Sequence, residues 1–384
     1  MTATMNSSQT QVSSLTTGKM HQAIPVAICA FSIVVGVVGV YSLGGFKWGW
    51  MAIVAAHLYL LLVTIASRVI EDRRQATDRA MRTVMTIAFT TVTIPLISVF
   101  WKVIVEGASR LDRKFFTGSM RITPEDMLAQ MEGAAVGGAL HAMVGTLIIT
   151  AIAAIISVPL GLLTAIYLVE YGKGKLASAV TRMVDVMTGI PSIVAGLFAY
   201  ALFELFLGPG TRSGLSGGVA LSLLMTPVVV RSSEEMLRLV PNELREASLA
   251  LGVAKWRTIL KVVLPTAIAG ILTGITLAVA RVIGETAPLL VTAGVAQDIN
   301  FNPFSGRMTT LPVFSYYEYV QPGVPPETGV ARAWGAALML VMIVAVLFTA
   351  AKVLSHVLKP KGLKWPLTPK SIGRQIPLAT VIRR

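Results

Sequence analysis

Two ionisable residues stand inside an otherwise apolar run: in ARVIGETAPLL, Arg281 and Glu285 are four positions apart. On a helix that spacing predicts one shared face. A charge at bilayer depth costs at least about 2.5 to 3.5 kcal/mol on insertion scales, so such residues face a partner or a water-filled path. A guanidinium fork matches the oxygens of a tetrahedral oxyanion two at a time and stays protonated. Two readings follow. Arg281 and Glu285 neutralise each other as a structural pair, or Arg281 meets an anion in a translocation path while Glu285 steadies the fork or accepts a proton-bearing oxygen. Spacing leaves both open.

A second segment has the opposite character. RSSEEMLRLVPNELREASLALGVAKWRTILKVVLP, residues 231 to 265, keeps helical periodicity but is too polar to enter a bilayer. Pro241 suits a first helical turn, Leu244, Ala247 and Leu251 fall on one face, and Gly252 can end the helix. The short amphipathic helix this predicts could lie on lipid or dock into a soluble partner. Glu243 and Glu246 beside Arg245 make its polar face mixed in sign, which suits a protein groove better than an anionic membrane.

The elements that position these segments follow from composition. The 384 residues are 54% hydrophobic and 14% charged, with mean hydropathy +0.72, which excludes a soluble globular chain. About 20 apolar residues cross a hydrocarbon core of about 30 Å. Eight such runs occur, at 23 to 44, 48 to 67, 83 to 104, 139 to 168, 177 to 207, 216 to 230, 266 to 294 and 333 to 355. None has the alternation of a barrel strand, so the fold class is all-α, a polytopic membrane protein with about eight transmembrane helices. The first run is longer than a signal-peptide core and reads as a retained span.

With both termini cytoplasmic, inner segments hold 23 of the 33 Lys and Arg residues, outer segments 8 and the spans 2. The net charge of +14 is therefore mostly a topology signal, with the basic tail also able to touch anionic lipid. No basic stripe interleaved with aromatics points to nucleic acid. Residues 1 to 22 read as a disordered cytoplasmic N-terminus, 23 to 75 as a two-helix extension, 76 to 360 as a six-helix membrane domain and 361 to 384 as a basic cytoplasmic tail. The joint EDRRQATDRAMR, 71 to 82, separates the extension from the rest, and the long outer connections are 105 to 138 and 295 to 332. Pro159 and the Gly189, Ile190, Pro191 sequence predict kinks, either hinges or fixed packing. Asp185 and Glu204 read as solvated, and His57 and His141 as structural, with no metal spacing around them. Cys29 is a single cysteine in an apolar run, so no disulfide framework or cysteine cluster is available.

Glu246, Ala247, Ser248, three residues, Gly252, nine residues, then Val262, one residue, Leu264 and Pro265 resemble the EAA loop of importer permeases of the ATP-binding cassette class. Ser248 stands where a second alanine is usual and Val262 where isoleucine is common. GIPSIVAGLF at 189 to 198, the stretch 256 to 290 and NPFSGRMTTLPVF at 302 to 314 are similar to phosphate permeases of the PstA type, over roughly 76 to 360. The resemblance implies a subunit that moves inorganic phosphate across the bacterial inner membrane. It also implies an ATPase partner that uses ATP and Mg and docks on Glu243, Leu244, Glu246, Ala247, Leu251 and Gly252. A PstC-type permease, a PstB-type ATPase dimer and an external PstS-type binding protein complete the implied set. No GxxxxGK[ST] phosphate loop occurs, so the chain reads as a transport subunit, not an enzyme, with no cofactor of its own. A permease for sulfate or molybdate is the alternative within this class. A secondary transporter is the alternative outside it, disfavoured because neither a second ionisable cluster nor an internal repeat is found.

Overall fold

The computed structural model describes residues 20–21, 23–44, 48–71, 73–121, 124–131 and 136–358. The expected disordered N-terminus and basic C-terminal tail lie outside them, apart from residues 20 and 21. Among the described residues every regular element is a helix. In chain order these are α1 (Ala23–Gly44), α2 (Trp48–Ile70), α3 (Arg73–Ala108), α4 (Arg113–Thr117), α5 (Pro124–Met131), α6 (Leu140–Ile166), α7 (Gly174–Thr188) and α8 (Ser192–Leu207). Then follow α9 (Gly214–Arg238), α10 (Asn242–Ala250), α11 (Lys255–Thr258), α12 (Leu264–Val282), α13 (Ala287–Thr292), α14 (Leu311–Val320) and α15 (Pro326–Leu358). Single π-helical turns, Tyr167–Tyr171 and Ile259–Val263, extend α6 and join α11 to α12. Among the described residues seven helices are long and apolar enough to cross a membrane, and the bent pair α7 and α8 makes eight if counted as one span.

The chain divides into two compact units, Met1–Trp101 and Lys102–Arg384. In the first, α1 packs against α2. Glu71 there closes a small polar knot: its carboxylate accepts from the Met20 amide at 2.8 Å and from Arg79 Nη2 at 2.7 Å, and also from Ser67 Oγ.

The second unit is built around α9. Of its most apolar stretch 61% is buried, against 33% or less in the other six long helices, so it is the central helix. α6 and α12 pack on it, with Ile149 and Ala153 from α6, Leu221, Met225 and Val229 from α9, and Ala278 and Val282 from α12 forming one core. With lipid as apolar as leucine, such helices associate through close packing of small residues. α12 does this with Gly270 and Gly274: a methyl on Gly274 would lie 2.6 Å from Ser232 Cβ on α9. Elsewhere in this unit Glu318 of α14 accepts from Arg332 Nε of α15 at 2.7 Å, both buried.

Proline position decides which spans stay whole. The sequence predicts one span over 177 to 207 with a kink at Gly189, Ile190 and Pro191, and there the chain breaks outright, α7 and α8 meeting at 105°. Pro191 cannot donate to Met187, it drives Ile190 out of the helical region, and Gly189 costs helix stability beside it. Pro159, also predicted to kink, remains inside α6, and Pro227 remains inside α9. Neither has a glycine in the four residues before it.

Candidate functional site

The span expected over 266 to 294 is also broken, and this corrects the expected geometry of the charged pair. α12 ends at Val282, residues 283 to 286 are non-helical, and α13 restarts at Ala287. Pro288 lacks the N–H that would bond Gly284, and its ring would clash with that carbonyl. Arg281 therefore lies in the last turn of α12 and Glu285 in the break, not together on one helix face. They still share a site. Both line a cavity of about 210 Å³ with Thr188, Ser192, Pro227 and Val228.

Two helix breaks thus converge on one level of the central helix. Leu224 to Val228 stand ten to fourteen residues from the start of α9, about 15 to 21 Å along an axis of about 37 Å, near mid-span. Non-helical backbone at that depth is tolerated where protein buries it or water fills a cavity. α8 and α13 are held together beside it by close contact, with a methyl on Gly196 placed 2.6 Å from Pro288 Cα. Arg281 is exposed and Glu285 half-buried. Among the described residues neither forms an ion pair with the other or with any other side chain.

One turn further along α9 lies a charged network, local along the helix except for its link to α7. Arg231 donates through Nη1 to Glu234 at 2.8 Å and through Nη2 to Asp185 of α7, and Arg238 Nη2 reaches Glu234 at 2.7 Å. Asp185, expected to be simply solvated, ties α7 to α9 across 46 residues of sequence. Glu204 is likewise engaged, accepting from the Tyr200 hydroxyl at 3.0 Å and the Gly210 amide at 2.9 Å. The two histidines differ. His57 Nδ1 lies 2.8 Å from the Ile53 carbonyl, whereas both ring nitrogens of buried His141 lack a hydrogen-bond partner, its ring set edge-on against Phe314.

α9 runs almost directly into the predicted amphipathic helix. α10 spans Asn242–Ala250, with Pro241 as its N-cap instead of in its first turn, Leu251 as its C-cap and Gly252 at φ +74° just beyond. No residue of α10 is buried. Leu244, Ala247 and Leu251 are all uncovered, Leu251 to 84%. Arg245 is the exception to the expected mixed-sign face. It turns toward the protein, donating to the carbonyls of Leu237 at 2.8 Å and of Val240, to Asn242 Oδ1 at 3.2 Å and to Glu170 Oε1 at 3.0 Å. The solvent-facing charges left on α10 are the acidic Glu243 and Glu246. Ser248 Oγ lies 2.9 Å from Thr258 Oγ1, and Lys255 caps the Glu170 carbonyl beside the Tyr171 ring. α10 is thereby fastened to the ends of both α6 and α9.

Sequence reasoning missed Arg245, Glu170, Asp185 and Arg231 as structural connectors. Arg245 carried a signal, since it is the only basic residue of α10, between two acids. The Glu170 and Asp185 pairings span 75 and 46 residues and leave no local pattern.

Residues 157–363, over half the chain, match the family model described as binding-protein-dependent transport system inner membrane component. The phosphate transport system permease protein PstA 1 of Mycobacterium tuberculosis (strain CDC 1551 / Oshkosh) is 45% identical over 287 residues, covering 74% of this chain and 90% of that protein. The permease protein PstA of Xylella fastidiosa (strain Temecula1 / ATCC 700964) is 37% identical over 293 residues, 76% of this chain and 97% of that one. A solved chain of the inward-facing MetNI methionine ABC transporter gives a TM-score of 0.46 at 20% identity, over 62% of this chain and 100% of that chain. The protein described above, with its spanning helices and its uncovered connector α10, belongs to the family of binding-protein-dependent transport system inner membrane components.

Proposed function

We propose that this chain is the permease subunit of an importer that moves inorganic phosphate across the cytoplasmic membrane, with both termini inside and ATP hydrolysed by a separate subunit. The observation that carries the reading is the mid-span cavity in which Arg281 and Glu285 stand with no ion pair of their own. An unpaired guanidinium at that depth is costly unless an anion or water meets it. The names of the relatives make phosphate the oxyanion of choice.

In this reading α10, with Glu243, Leu244, Glu246, Ala247, Leu251 and Gly252, seats in a groove on a PstB-type ATPase. The fastening of α10 by Arg245 passes its displacement to α6 and α9. α9 carries the displacement about 15 Å to the cavity, where the breaks at 189 to 191 and 283 to 286 let α7, α8 and α13 change angle without unwinding a helix. Arg281 is exposed on this chain, which fits a cavity completed by a PstC-type permease. An external PstS-type protein delivers the anion. Glu285 positions the Arg281 fork or accepts a hydrogen bond from the proton-bearing oxygen of the substrate, and no bond of the substrate is made or broken.

The test is radiolabelled phosphate uptake in a strain deleted for this gene and complemented with it, with excess sulfate or molybdate as competitor. Restored uptake that neither competitor reduces supports phosphate. Uptake abolished by sulfate or molybdate, or not restored at all, refutes it.

A further inference from the structure

We propose that Arg212 and Arg307 form a second oxyanion station at the end of the permease opposite α10; this rests on the reading that the chain moves an oxyanion. Arg212 stands just before α9, and Arg307 closes the turn 300 to 307 of the long connection between α13 and α14. The two come from distant sequence but share one cavity of about 440 Å³, with Gly210, Thr211, Ser305 and Gly306 also in its wall.

Their stems converge on Gly294. A methyl there would lie 3.2 Å from Arg212 Cδ and 3.4 Å from Arg307 Cδ, so the two Cδ atoms stand no more than about 7 Å apart. Gly294 has φ +74°, a left-handed conformation that glycine adopts without strain, and the absent side chain leaves both arginines room. The stems are thus neighbours, Arg212 half-buried and Arg307 exposed, and their like charges face one cavity. No carboxylate among the described residues pairs with either. The nearby Glu204 is engaged with Tyr200 and Gly210, and the Arg212 guanidinium lies over the Tyr200 ring at 6.0 Å.

The wall is built, not loose. Asn300 Nδ2 donates to the Ser305 carbonyl at 2.9 Å and to that of Arg307 at 3.2 Å, and Asn302 Nδ2 donates to Ser305 Oγ at 3.0 Å. The Leu215 amide of α9 donates to the Pro303 carbonyl at 2.7 Å, and the Ser213 amide to that of Thr292 at 3.2 Å. The frame thus sets the two arginine stems side by side, and an oxyanion bridging the two forks satisfies both at once. The mid-span cavity begins about 15 Å further along α9, so an anion held here is concentrated one step above Arg281.

The test uses the complete purified transporter in nanodiscs without its external binding protein. Phenylglyoxal labels accessible guanidinium groups, and peptide mass spectrometry reads Arg212, Arg307 and Arg281 separately, in inorganic phosphate and in chloride at equal ionic strength. Phosphate is expected to slow labelling of Arg212 and Arg307 at least fivefold relative to chloride, in wild type and in Arg281→Lys alike. Equal rates in the two salts overturn the station, whatever happens at Arg281. Protection at Arg212 and Arg307 in a protein whose Arg281→Lys variant transports normally leaves the station standing and removes Arg281 from the path. In uptake assays Arg212→Gln/Arg307→Gln should raise KM for phosphate about tenfold with kcat within twofold. An unchanged KM also overturns the proposal, and the labelling result on wild type decides it if that variant does not assemble.

Discussion

Arg245→Met isolates the fastening of α10 from its docking face, because Arg245 points inward while Leu244, Glu246, Ala247 and Leu251 do not. The substitution removes the guanidinium of a side chain that is 15% exposed and leaves the Glu170 side chain, 7% exposed, without its partner. Breaking a buried pair on one side costs about 3 to 5 kcal/mol, and the residual access of water to Arg245 puts this case near the low end, about 3 kcal/mol. The carbonyls of Leu237 and Val240, at the end of α9, lose their donor as well. A loss of about 3 kcal/mol in the local opening free energy raises the opened population about 150-fold. Hydrogen exchange of the α10 amides in nanodiscs should therefore accelerate by about two orders of magnitude, while the middle of α6 is unchanged. Arg245→Met/Glu170→Met, which removes both charges, should recover most of the protection. Exchange within threefold of wild type in the single variant, or no recovery in the double, would refute the fastening.

Other expectations follow from the same structure. Glu246→Lys reverses an exposed, unpaired charge, so stability should move by no more than about 0.5 kcal/mol while co-purification with the ATPase is lost; retained co-purification with normal uptake would count against α10 as the docking site. Gly274→Val forces methyl groups into Ser232 and should destabilise the α9 and α12 contact by about 1 to 3 kcal/mol in detergent thermal unfolding. Gly39→Ala meets nothing within 4 Å and should be neutral or stabilise by up to about 1 kcal/mol, so equal effects of the two would contradict the packing described. Arg332→Met strands the buried Glu318 carboxylate and should cost about 3 to 5 kcal/mol, measured the same way; a variant as stable as wild type would show the pair is dispensable.

Much of this was legible in the residues, and the failures have identifiable causes. The long helices follow from apolar length alone, since nothing else satisfies the backbone in lipid. α10 and its Gly252 terminus were readable because capping and amphipathic spacing are local. The four-residue spacing of Arg281 and Glu285 misled because it assumed an unbroken helix, although Gly284 and Pro288 already marked the interruption. A rule that prolines break spans only with a glycine close before them accounts for Pro191 and Pro288 against Pro95, Pro159 and Pro227. Arg245 was unreadable for another reason. Acids flank it at 243 and 246, but it turns back onto the Leu237 and Val240 carbonyls and Asn242, and its charged partner, Glu170, is brought to it only by the packing of α6 against α9.

The most direct measurement reconstitutes the complete transporter in vesicles and follows phosphate uptake and ATP hydrolysis together in Arg281→Lys. Lysine keeps the charge but loses the two-point fork, worth about 1.5 to 3 kcal/mol as a charged hydrogen bond. Uptake should fall between about tenfold and 150-fold while the subunits stay assembled and hydrolysis continues. Undiminished uptake, or an assembly that falls apart when the guanidinium is replaced, would contradict an anion path past Arg281.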